Sequence, residues 1–159
     1  LEVIDEEKLA YVTQTTLRVD DTKNIIDKLK MRFPKINGPE LKDICYATQN
    51  RQNAVKASAK YIDLLLVIGA PNSSNSNRLR DLGEENNIES YLIRDEKDIN
   101  ENWFHSKMTI GITAGASAPE ILVEQVVQYL VNKFKATVST SKFIDENVRF
   151  KLPKELCNF

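Results

Sequence analysis

Apolar and polar positions alternate along this chain in one recurring order: an apolar stretch, a loop crowded with Ser, Thr and Asn, then a helical pattern. LAYVTQTTL leads into VDDTKNIIDKL, LLLVIGAPNSSNSN into RLRDLGEEN, and MTIGITAGASA into PEILVEQVV. A fourth unit, DICYATQNRQNAVKASAKY, repeats the plan and carries a cysteine. The run 64–69 is unbroken and of strand length, as a parallel strand covered on both faces requires. Strands are also expected over 9–17, 43–47, 90–94 and 109–113. Helices are expected after Asp20 or Asp21, where Ile25, Ile26, Leu29 and Phe33 fall at helical spacing until Pro34, and over 50–60, 77–87, 98–104 and 119–134. Repeated strand–helix units imply an α/β fold with parallel pairing and right-handed crossovers.

The segment PKINGPELKD holds Gly38 and two prolines and is the expected boundary, dividing the chain into 1–41 and 42–134. Residues 135–159 form a polar tail with one expected strand, 148–152, that packs back on the body. An apolar run begins close to Leu1 without an initiator Met, so Leu1 is expected to lie inside a longer protein.

Composition narrows the function. Twenty-two Lys and Arg face 23 Asp and Glu, a net charge of −1. A general nucleic-acid or membrane-surface binder needs a basic excess, so neither partner is expected. The longest apolar run is too short to span a bilayer. Two cysteines, Cys45 and Cys157, make no disulfide framework and point to a reducing compartment.

Candidate chemistry gathers where strands end. Ligands of open α/β sheets bind outside the carboxyl ends of the strands, and helix N-termini there attract anions. Thr15 and Thr16 close one apolar run, Ser73, Ser74 and Asn75 a second, and Ser117 a third. Taken alone, a Ser- and Asn-rich loop such as 71–78 reads as a solvated turn with an N-cap. Three such loops together read as an anion pocket, with Gly111 and Gly115 leaving space for a ligand to approach the backbone. The chain lacks a Gly-rich loop ending in Lys, which disfavours a metal-bound triphosphate; a diphosphate held by neutral donors and helix dipoles fits better. Cys45 is expected at a strand end; alone, it reads as a small buried hydrophobe. No CxxC is present, so this chain cannot assemble a complete metal or cluster site. His105 reads as a surface residue, Asp20 and Asp21 as caps, Trp103 and Phe104 as core.

The segments YVTQTTLRVDDT, FPKINGP, DICYATQNRQNAV, VIGAPNSSNSNRL and GITAGASAPEILVEQVV resemble, in order and spacing, the 4-hydroxy-3-methylbut-2-enyl diphosphate reductase (LytB) family. The closing VRFKLPKEL is similar to that family's tail, so the likeness covers nearly the whole chain. It implies a reductase of the methylerythritol phosphate route to isoprenoids, built from three pseudo-symmetric α/β lobes around a 4Fe–4S cluster. Residues 1–41 then end the second lobe, 42–134 form the third, and 135–159 are the tail. By motif, Cys45 matches a cluster ligand. Thr15, Ser73, Ser74, Asn75 and Ser117 match residues that bind the allylic diphosphate. The other cysteine ligands, the substrate-binding histidines and the glutamate that delivers a proton belong to motifs upstream of Leu1, so no catalytic residue is assigned here and the isolated chain is expected to be inactive. The resemblance also implies ferredoxin or flavodoxin as electron donor, and a bacterial cytoplasm or a plastid-type stroma as location. The alternative reading is a non-catalytic module that captures a phosphorylated metabolite.

Overall fold

The computed structural model describes residues 2–39 and 44–141. Among them lie three parallel strands, β1 (Leu64–Ile68), β2 (Glu89–Ile93) and β3 (Ile110–Ala114), in the order β2-β1-β3. Four helices accompany them: α1 (Val19–Arg32), α2 (Tyr46–Ser58), α3 (Ser74–Glu85) and α4 (Glu120–Phe134). The fold class is α/β, as the alternation of apolar runs and helical patterns implies.

The central strand shows why the sheet is covered twice. Side chains alternate across a strand. Leu64, Leu66 and Ile68 therefore pack with Ile93, Ile99, Val126 and Leu130 under α4. Leu65 and Val67 meet Val55, Leu79, Leu82 and Ile88 under α2 and α3 on the opposite face. All five β1 residues are at most 2% exposed, so a polar substitution anywhere in β1 has no solvent face to escape to. The ladder runs one residue past β1 on each side: Gly69 N–H donates to Ile93 O (2.9 Å) and Gly115 N–H to Ile68 O (2.9 Å).

Gly83 admits α3 to the sheet. A Cβ on Gly83 would lie 2.1 Å from Ser90 Oγ and 2.8 Å from Leu65 Cδ2, so only a bare α-carbon fits there. The helix ends with Asn87 in the left-handed region (φ 60°), Ile88 N–H returning to Gly83 O (3.0 Å), a C-terminal closure that Asn tolerates well.

Several local expectations are corrected. Residues 9–17 form no strand; Ala10 and Asn37 make one isolated parallel bridge, through Tyr11 N–H to Asn37 O (2.8 Å) and Asn37 N–H to Leu9 O (3.0 Å). β-propensity in this segment has no longer ladder to act on among the described residues. Neither Asp20 nor Asp21 caps α1: the N-cap is Arg18, and both acids sit in the first turn, where the helix dipole favours them. Of the expected strand 43–47, Asp43 lies outside the described residues and Ile44 is buried. Cys45 is the N-cap of α2, which begins at Tyr46 rather than residue 50. Helix α3 starts at Ser74, three residues early, because Ser73 caps it. The expected helix 98–104 resolves into two 3-10 turns, Glu96–Asp98 and Glu101–Trp103, capped by Asp95 and Asn100. Short side chains that bond the backbone two residues on favour such tight turns. The expected tail strand 148–152 and Cys157 lie outside the described residues. So does Leu41, on which the expected boundary falls.

Candidate functional site

The strand order places a topological switch point between β1 and β3. From β1 the chain crosses through α3 to β2 on one side, and then returns past β1 to β3 on the other. The loops leaving β1 and β3 therefore diverge at the sheet's carboxyl edge, the position where open α/β sheets bind ligands. Those loops are 69–73 and 115–119, which carry Ser73 and Ser117.

The β1–α3 loop is built around Ser73. Its backbone N–H turns back to Ala70 O (2.9 Å). Its Oγ accepts from Ser76 N–H (3.3 Å) and from Ser76 Oγ (2.9 Å). A hydroxyl offers two acceptor sites and one proton, so Ser73 has used its acceptors and keeps an O–H to donate. Asn77 Nδ2 donates to Pro71 O (2.7 Å) and Ser73 O (2.9 Å), so that amide holds the loop's shape. The first turn of α3 carries no charged residue. Its free N–H groups and dipole are the positive pole available there.

Asn75 is the anomaly of the loop. It is 7% exposed, yet neither Nδ2 nor Oδ1 has a hydrogen-bond partner among the described residues. An unsatisfied buried amide costs about 1–3 kcal/mol for each orphaned group. A native structure keeps such a group where something else pairs with it or where strain serves function.

The other loops come to this one. Thr16 Oγ1 lies 3.0 Å from Ser74 Oγ, so these hydroxyls share a proton and tie the segment before α1 to the first turn of α3. Thr15 is exposed, and its carbonyl accepts from Cys45 N–H (3.2 Å). Gln52 Nε2 reaches Leu17 O (3.5 Å), and Lys56 Nζ meets Asp20 Oδ2 (2.7 Å). The Lys56 hydrogen bond holds the Asp20 carboxyl below its usual range. Arg18, mostly covered, places Nη1 at 2.6 Å and 2.7 Å from the two carboxylate oxygens of Glu85.

Cys45 is exposed and free, at an N-cap that makes no side-chain hydrogen bond, with no acidic residue in the following turn. The reading of this thiol as a small buried hydrophobe is thus corrected. Among the described residues no group of three or more His, Cys, Asp or Glu is placed to hold a metal ion. Cys45 offers a single exposed sulfur, and the described residues place no further set of such ligands beside it.

Ser117 is exposed in the β3–α4 loop, two residues beyond Gly115 and ahead of the Pro119 N-cap of α4. The expectation that Gly111 and Gly115 leave room for a ligand is corrected. A Cβ at Gly111 would meet Ile62 Cδ1 at 2.6 Å, and one at Gly115 would meet Ser76 Oγ at 2.3 Å, so the chain itself fills both spaces. His105 is exposed, with Nδ1 near Ser106 O, in the segment that enters β3 rather than in a loop that leaves a strand. Trp103 is partly buried and stacks on Tyr91 at 3.7 Å; Phe104 packs against the same core.

Reading the sequence for site residues misses Ser76 and Arg18. Ser76 stands three residues after Ser73, the spacing of a capping pair, which is the signal for it. Arg18 has no local signature, because its partner Glu85 is 67 residues away.

Residues 1–131 match the family model described as LytB protein. The chain belongs to the LytB family. It is 54% identical over 154 residues to the 4-hydroxy-3-methylbut-2-enyl diphosphate reductase of Wolbachia pipientis wMel, covering 96% of this chain and 50% of that protein. It is 56% identical over 147 residues to the reductase of the same name from Anaplasma marginale (strain Florida), covering 92% and 43%. The chain thus spans about half the length of these LytB relatives. Among solved structures it resembles the E-1-hydroxy-2-methyl-but-2-enyl-4-diphosphate reductase of Plasmodium falciparum, with TM-score 0.81 and 35% identity over 93% of this chain and 47% of that one. Among the described residues of this LytB chain, no helix is long and apolar enough to cross a membrane.

Proposed function

We propose that the site at the carboxyl ends of β1 and β3 binds the diphosphate of an allylic diphosphate, and that within the whole protein it serves reductive removal of a hydroxyl from that substrate. The observation that carries this reading is the buried amide of Asn75, without a hydrogen-bond partner among the described residues, following Ser73 and Ser74 at a helix N-terminus. Identity with proteins named 4-hydroxy-3-methylbut-2-enyl diphosphate reductase supports the substrate class.

The residues divide the work. Ser73 donates its remaining proton to a phosphate oxygen, and Asn75 Nδ2 donates to another. Thr16 and Ser74 share one hydrogen bond, leaving one of their two protons to offer. Thr15 and Ser117 complete the rim from the neighbouring loops. Fixing the diphosphate fixes the far end of the substrate, and remote binding energy of this kind raises turnover by orienting the reacting end. No lysine or arginine needs to neutralise the anion, because the uncharged first turn of α3 presents N–H groups and the positive end of its dipole.

Cys45 is proposed as one thiolate ligand of a 4Fe–4S cluster, the remaining ligands coming from the rest of the protein. Such a cluster, when bound, supplies electrons and Lewis acidity to the substrate hydroxyl. Loss of that hydroxyl as water consumes two electrons and two protons, so an external one-electron donor of the ferredoxin or flavodoxin class is part of the proposal. Residues 1–41, 42–134 and 135–159 are proposed as the end of one lobe, a complete lobe and a tail.

The test is made on the full-length protein purified without air. Iron and inorganic sulfide are expected in equal amounts, and Cys45→Ser is expected to lose most of both along with turnover. A fully loaded, active Cys45→Ser variant overturns the ligand assignment. Diphosphate binding by a metal-free wild-type protein would favour the alternative, a module that captures a phosphorylated metabolite.

A further inference from the structure

Ser76 is 1% exposed and sits where two strand ends and one helix meet. Its Oγ occupies the space that a Cβ would take on Gly69 (2.1 Å) and on Gly115 (2.3 Å), the residues that follow β1 and β3. The same oxygen is 2.9 Å from Ser73 Oγ, and the Ser76 N–H points at that atom too. A buried hydroxyl proton without an acceptor is penalised, so Ser76 directs its proton to Ser73. Ser73 then accepts twice, and its own proton is the one group left to point outward.

We propose that Ser76 is a positioning residue for the anion site: it fixes the direction of the Ser73 O–H. The proposal rests on the diphosphate reading above and adds to it a residue that touches no ligand. Gly69 and Gly115 are small because Ser76 passes between them.

The experiment is calorimetric titration of inorganic diphosphate into the full-length protein as wild type, Ser73→Ala, Ser76→Ala and the double variant. Ser76→Ala removes only an oxygen, so its fold is expected to persist, checked by circular dichroism. Its affinity is expected to fall about five- to tenfold, the worth of one well-placed hydrogen bond. The double variant is expected to bind no more weakly than Ser73→Ala alone, because Ser76 acts through Ser73. Independent, multiplying losses overturn the positioning role, as does wild-type affinity in Ser76→Ala. Wild-type protein that fails to bind diphosphate, or a Ser73→Ala variant that binds it undiminished, overturns the site reading beneath the proposal.

Discussion

The hydroxyls of Thr16 and Ser74, 58 residues apart in the chain, lie 3.0 Å from each other. That contact joins the segment before α1 to the first turn of α3, two pieces with no common strand among the described residues. Thr16→Val keeps the shape and removes the hydrogen bond. Because Ser74 is exposed, its orphaned hydroxyl turns to water, and the stability loss is expected to stay below about 1 kcal/mol. Affinity for diphosphate is expected to fall several-fold, since the loop loses its tether. Denaturant melts and calorimetric titration of the full-length protein separate the effects; a large stability loss with unchanged affinity contradicts the tether.

Arg18 is the electrostatic counterpart of that tether. Its side chain is 19% exposed and faces Glu85 at 2.6 Å, while Nε is buried without a partner among the described residues. Glu85→Ala leaves a covered guanidinium with the more distant Asp21 (3.4 Å) as its other recorded ion pair. Removing one partner of a covered pair costs more than the pair was worth; about 1–2 kcal/mol is expected after allowance for the solvent exposure of Glu85. Arg18→Met in the same background should recover part of it, measured by urea denaturation.

Gly83→Ala pits helix propensity against packing. In an open helix the change is worth up to about 1 kcal/mol of stabilisation. Here the new methyl would fall 2.1 Å from Ser90 Oγ, whose hydroxyl donates to Ile88 O. Overpacking of that kind costs about 1–3 kcal/mol. The variant is expected to be less stable than wild type, and a raised melting temperature would show that α3 shifts at little cost.

Asp98 supplies the pH dependence. Hydrogen bonds from the Arg94 guanidinium and backbone N–H lower its carboxyl to about 2, from 3.8. A carboxyl depressed in the folded state contributes stability above its unfolded value and loses it as pH falls through the folded value. The contribution is therefore expected to disappear between about pH 4 and pH 2. Arg94 is largely exposed, so the effect is small. The stability difference between wild type and Asp98→Asn is expected to shrink toward zero across that window; a constant difference contradicts the ion pair.

Much of the fold is legible in the residues. Leu64–Ile68 is apolar without alternation, which only a doubly covered strand explains, and the sheet has it at the centre. The helix patterns after β1 and β3 are found within three residues of their positions. Short-range chemistry misleads where a cap outranks a pattern: Ser73 starts α3 early, and Cys45 opens a helix where its apolar neighbour Ile44 suggests a strand. The loops that make the candidate site are legible as hydroxyl-rich strand ends. Their joining is not, since Thr16–Ser74, Cys45–Thr15 and Arg18–Glu85 are contacts between distant segments that no local spacing encodes. Nor is the role of Gly115, whose space is filled by Ser76 rather than by a ligand.

Asn75→Leu, introduced into the full-length protein, addresses the central claim most directly. A buried amide that makes no hydrogen bond among the described residues costs stability in the ligand-free protein, so a side chain of similar size without polar atoms should relieve that cost. The account predicts a variant about 1 kcal/mol or more stabler than wild type, with affinity for diphosphate reduced at least about tenfold. A variant that is less stable and binds diphosphate as well as wild type would contradict it.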